Sequence, residues 1–129
     1  MPFDSGGGEV LARFIMQKNY VRADSSLRAT PFMPPQTGRL SVYAISGVDE
    51  PEIWAIGNAH VAVPLGKPLH GRADFNSLRV YELGLEVESD PTPHPLHANV
   101  IGWDLASTEP RLLALKLARE ATFRQAPAT

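Results

Sequence analysis

Residues 39–45, Arg39-Leu40-Ser41-Val42-Tyr43-Ala44-Ile45, alternate apolar and polar side chains. Successive side chains of an extended chain point to opposite faces, so Leu40, Val42 and Ala44 share one side and Arg39, Ser41 and Tyr43 the other. A helix would scatter both sets around its circumference. The stretch therefore reads as a strand with one buried and one polar face, ended by Gly47. The same period returns at residues 69–75, with Leu69, Gly71, Ala73 and Phe75 opposite His70, Arg72 and Asp74. It returns again at residues 97–103, read as the last strand. Residues 11–17 set Leu11, Arg13, Ile15 and Gln17 against Ala12, Phe14 and Met16, with a short helix as the competing reading, and residues 85–88 give a fifth, shorter run.

Between these runs stand helix signals. Asp49-Glu50-Pro51-Glu52 is a start, with Asp49 as cap, proline in the first turn and Glu52 placed for a capping box. This helix is expected to reach about His60, turning Ile53, Trp54 and Ile56 inward, before a turn at residues 64–68. Asn76 is placed to cap a short helix that Gly84 stops. Ser107 or Thr108 caps the last helix, expected to run to roughly Arg124, with Leu112, Leu113, Leu117, Ala121 and Phe123 as its apolar stripe. Prolines at 31, 34 and 35 favour extended chain there, and prolines at 91, 93 and 95 imply a stiff extended loop. Trp54 and Trp103 read as core anchors. Phe32 and Met33 read as an exposed contact or a lid on the core. The sum is an α+β domain: a single sheet of about four or five strands with two or three helices packed on one face. Residues 1–9, with Gly6-Gly7-Gly8, read as a flexible leader to one domain at 10–125, and residues 126–129 as a loose tail.

Composition bounds the function. The chain has 129 residues, 43% hydrophobic and 20% charged, with a net charge of −2 and no cysteine. Disulfides, thiolate chemistry and zinc–thiolate sites are excluded. A basic nucleic-acid coat is disfavoured, and no apolar run suits a membrane span. A cytoplasmic protein is the default expectation. There is no G-x-x-x-x-G-K-[ST] phosphate loop and no G-x-S-x-G nucleophile elbow.

The chemistry therefore falls to the polar sheet face. Arg39, Ser41 and Tyr43, then His70 and Arg72, then His97 and Asn99 are expected on one side, with Arg13 a further candidate. Lysine is absent from these sets, whereas histidine and arginine suit proton transfer and forked hydrogen bonds. His70 and His97 start two strands, so an acid–base pair is conceivable, with Asp74 either orienting His70 or pairing with Arg72. His94-Pro95-Leu96-His97 has ligand-like spacing near Asp90, but an extended loop would turn His94 and His97 apart, so no metal and no cofactor is expected.

Four stretches carry a resemblance: Gly38-Arg39-Leu40-Ser41-Val42-Tyr43, Glu52-Ile53-Trp54-Ala55-Ile56-Gly57, Leu69-His70-Gly71-Arg72-Ala73-Asp74 and His97-Ala98-Asn99-Val100-Ile101-Gly102-Trp103. From about Leu11 to Ala121 the chain resembles a family of small uncharacterised bacterial proteins. That resemblance implies a bacterial, stand-alone, cytosolic protein and transfers no catalytic residue. The resulting expectation is an accessory binding module whose Arg/His face takes an anionic ligand or a larger protein partner. The alternative is a small His-dependent enzyme acting on a nucleotide or a nucleic-acid phosphodiester, or an NAD-consuming transferase.

Overall fold

The computed structural model describes residues 8–127. Among them, six strands form one antiparallel sheet: β1 (Val10–Ile15), β2 (Leu40–Ala44), β3 (Gly71–Asn76), β4 (Glu86–Ser89), β5 (His97–Ile101) and β6 (Thr122–Gln125). Their order across the sheet is β4-β5-β2-β1-β3-β6. Three helices accompany them: α1 (Glu50–Gly57), α2 (Ser77–Glu82) and α3 (Glu109–Glu120). The α+β class stands, with one strand more than the alternation predicts. The extra strand is β6, taken from the stretch assigned to the end of the last helix. The chain leaves α3 at Ala121 in an extended conformation, and Thr122 and Phe123 suit a pleated surface better than another helical turn. Gly71 lets β6 close on β3, since a Cβ there would lie 2.5 Å from the Arg124 carbonyl oxygen and 2.5 Å from the Phe123 ring.

The helices do not share one face. On one side α2, α3 and the 18–39 segment bury Leu11, Ile15, Leu40, Val42, Phe75 and Val100 with Leu113 and Leu117. Phe32 closes that core as a lid, its ring 5.6 Å from Phe75. On the other side α1 packs Ile53, Trp54 and Ile56 over Ala12, Phe14, Tyr43 and Ile45. The alternating pattern hides this second core, because Tyr43 and Ile45 continue a face that Arg39 and Ser41 make polar. Leu112, counted in the stripe of α3, is exposed.

Local signals hold in part. The Asn76 side chain accepts the Leu78 amide at 2.8 Å, and Gly84 ends α2 with φ of 82°. Asp49 caps α1 only through its backbone: its carbonyl takes the Ile53 amide at 3.0 Å and its side chain makes no cap bond. The helix also continues past His60. A wide π turn at Asn58–Ala62 leads into Val63–Leu65, and Gly66 in the left-handed region stops it. Thr30–Phe32 is one 3-10 turn, with Pro31 at its start where the missing N–H costs nothing. The 90–96 loop is not extended: successive turns fold it back, and the His97 amide reaches the His94 carbonyl at 2.9 Å. Proline's fixed φ suits turns as well as extended chain.

Most of the leader, residues 1–7, lies outside the described residues, as do residues 128–129. Glu9 is tied to the start of α2, exchanging hydrogen bonds with Ser77 at 2.8 Å through its amide and 2.8 Å through its carbonyl.

Candidate functional site

The pleat places Arg39, Ser41, Tyr43, Arg72, His97 and Asn99 on the α1 side of the sheet. Arg13 lies on the opposite side, with the main core. Strands β1 and β2 register only at Leu11↔Ala44 and Ala12↔Tyr43. Past that point Arg13 donates to the carbonyls of Ser41 (2.9 Å) and Pro31 (3.0 Å), satisfying acceptors that no strand partner reaches. Burial holds its guanidinium below the ordinary value, although Tyr20 acts the other way.

The shared face divides into two clusters. Around β3, Arg72 is only 2% exposed. Its Nη1 and Nη2 donate to Glu50 of α1 at 3.0 and 2.9 Å, and its Nε donates to Asp74 at 2.9 Å. The guanidinium carbon lies 4.7 Å from the centre of the Trp54 ring. Burial pulls the Arg72 pKa down, but the hydrogen bonds to Glu50 and Asp74 outweigh it and the net direction is upward. Arg72 therefore bolts α1 to the sheet, and its charge is already met. His70 lies at the far end of β3, stacked 5.5 Å from Phe123. Strands β1 and β2 separate β3 from β5, which puts His70 at least about 14 Å from His97. Phe123 packs against the main core, on the side of the sheet opposite His97, so the two histidines share neither a face nor a site.

The second cluster spans β2, β4 and β5. Ser41 Oγ and His97 Nε2 are 2.7 Å apart. His97 Nδ1 is 2.9 Å from the Asp90 carbonyl oxygen and 3.5 Å from its carboxylate. A carbonyl only accepts, so Nδ1 carries the proton; in the neutral ring Nε2 then accepts the Ser41 hydroxyl. Asn99, registered opposite Ser41, donates to Asp90 at 3.2 Å and to Glu88 at 3.3 Å. Glu88 closes the chain on Arg39 at 3.2 Å. Ser41, His97, Asp90, Asn99, Glu88 and Arg39 thus form one run of polar contacts. Ser41 is half-buried and His97 buried.

Tyr43 continues the cluster. Its ring centre lies 5.2 Å from that of His97 and 6.1 Å from that of His94, and burial raises its hydroxyl pKa. His94 lies 5.0 Å from His60, which stands in the π turn after α1. Three of the four histidines therefore gather here. The folded loop is what brings His94 and His97 onto one tyrosine. His94 Nδ1 accepts the Leu96 amide at 3.0 Å. Burial holds the His94 pKa below its ordinary value; His60 and His97 push the same way, and Glu52 opposes them.

Sequence reasoning placed Arg39, Ser41, Tyr43, His97 and Asn99 on this face but missed the carboxylates that complete it. In sequence, Asp90 and His94 stand out only by a ligand-like spacing, and Glu88 enters only through the β4–β5 register, Glu88↔Asn99. Among the described residues no group of histidine and acidic side chains is arranged to hold a metal ion, and no helix is long and apolar enough to cross a membrane. Comparison with protein-family models, curated proteins and solved structures gives no match, so the reading of this site rests on its geometry.

Proposed function

We propose that the chain is a small enzyme that cleaves an ester by nucleophilic displacement at Ser41. The observation that carries this reading is the 2.7 Å Ser41–His97 contact, with the His97 tautomer set by the Asp90 carbonyl. A serine hydroxyl is a weak nucleophile until an adjacent base takes its proton, and this arrangement supplies the base in the required form. In the first step Ser41 Oγ bonds to the acyl carbon and its proton passes to His97 Nε2. The leaving alkoxide then takes that proton. Water, deprotonated by the same nitrogen, hydrolyses the acyl-serine and restores the hydroxyl. Asn99 is the side-chain amide registered against Ser41, and its two bonds of 3.2 and 3.3 Å are long enough to exchange for an oxyanion. Arg39, two residues before Ser41 on the same face, is exposed and held by Glu88 at 3.2 Å, a solvent-facing contact that an anionic group of the substrate would replace.

A fluorophosphonate probe tests this without knowledge of the substrate, because it modifies activated serines. The expected result is a single adduct on Ser41 by peptide mass spectrometry, slowed about a hundredfold or more in His97→Gln and absent in Ser41→Ala. The second reading is a non-catalytic binding module in which this run is architectural, since every member already has a partner. An unlabelled parent protein, with Ser41→Ala melting below it, would remove the enzyme and support the architectural role of the run.

A further inference from the structure

We propose that the groove between the proline segment and the start of α3 binds a small amphiphilic anion, a carboxylate carried on an alkyl or aryl body. It is distinct from the Ser41 cluster and independent of its chemistry. The groove encloses about 480 Å³ and is walled by Met33, Pro34, Pro35, Leu105 and Pro110, with Arg111 beside them. That volume lies in the range of small-molecule sites. The three prolines have fixed φ and no side-chain rotamers to freeze, so most of the wall is set before a ligand arrives. Leu105 stays half exposed, and an apolar body laid on it would remove that surface from water.

Arg111 supplies the preference for an anion. Among the described residues its guanidinium enters no hydrogen bond and no ion pair. It stands in the first turn of α3, where the positive end of the helix dipole disfavours a cation. Neither pairing nor helix stability accounts for an arginine at this position. A carboxylate would meet the guanidinium through charge-assisted hydrogen bonds and relieve the mismatch with the dipole. A neutral or cationic amphiphile would gain only the apolar contact.

The chain has three methionines; Met33 lines the groove and Met16 does not, so ¹³C-methyl labelling gives a reporter in the groove and a control away from it. Titration with octanoate should move the Met33 methyl signal saturably and leave Met16 in place. Octanol and octylammonium should bind about tenfold more weakly or worse, and Arg111→Gln should lose about tenfold for octanoate while leaving octanol unchanged. Arg119→Gln, on the same helix but away from the groove, should behave as the parent. Equal affinity for octanoate and octanol, an unchanged Arg111→Gln, or an unmoved Met33 would each overturn the proposal. So would a Met33 signal that shifts with protein concentration alone while sedimentation shows a dimer, since a second copy would then fill the groove.

Discussion

Replacing Arg72 with methionine keeps most of the volume and removes the charge. In the parent the guanidinium is 2% exposed, and its partners differ sharply: Asp74 is 12% exposed and Glu50 62%. Glu50 rehydrates when its partner goes, so that half of the arrangement is worth less than about 1 kcal/mol. Asp74 stays largely shielded, with Arg124 at 3.4 Å as its remaining cation. Losing a charged hydrogen bond to a shielded carboxylate costs about 1.5–3 kcal/mol, and the contact with Trp54 adds about 1 kcal/mol. Methionine regains part of this by packing on the same ring. The net expectation is about 3 kcal/mol, or about 12 °C in melting temperature for a domain of this size. Glu50→Gln should cost less than a third as much. The pH dependence gives a second reading. The hydrogen bond from Arg72 holds the Glu50 carboxyl below its ordinary 4.5. A depressed carboxylate contributes stability that is complete above its unfolded value and is lost as pH falls through its folded value. Urea midpoints below pH 4.5 should therefore fall less steeply in Arg72→Met. A variant melting within about 3 °C of the parent, or less sensitive to Arg72→Met than to Glu50→Gln, would refute the assignment of Arg72 as the bolt under α1.

Leu117 is fully buried between α3 and the sheet, so Leu117→Asp should abolish folding by circular dichroism and gel filtration; a cooperative melt at the parent temperature would contradict the packing of α3. A Cβ on Gly57 would lie 2.5 Å from the Phe14 ring and 3.0 Å from Leu69. Gly57→Ala should therefore destabilise by about 1–2 kcal/mol, overpacking outweighing the helix-propensity gain of about 1 kcal/mol, and a raised melting temperature would show that α1 stands further from β1. His94 accepts the Leu96 amide through Nδ1 and faces His60, with Glu52, Tyr43 and His97 around it. Its depressed pKa means stability is complete above 6.5 and declines as pH falls from there through the folded value. His94→Asn, which keeps an acceptor and does not titrate, should flatten the urea midpoint between pH 7.5 and 5.

Much of the strand and face assignment was legible because the two-residue period of an extended chain is a local property. Leu40, Val42 and Ala44 had to oppose Ser41 and Tyr43 whatever strands lay beside them, and Asn76 and Gly84 mark the ends of α2 by their own hydrogen-bonding and steric properties. Strand order is a different kind of quantity. Nothing within residues 69–75 or 97–103 says that β2 and β1 stand between them, and that order is what separates His70 from His97 while setting Ser41 against His97. The second core was hidden for a related reason: a tyrosine or arginine on an alternating strand meets water or a helix depending on where α1 lands, and α1 lands on Tyr43 and Arg72. The acidic side of the candidate site was decided the same way. Glu88 and Asp90 meet Asn99 and His97 only through the β4–β5 register and the folded 90–96 loop. Periodicity determines which way each side chain faces, whereas its electrostatic partners come from chain segments far away in sequence, which only the closed sheet brings within hydrogen-bonding distance.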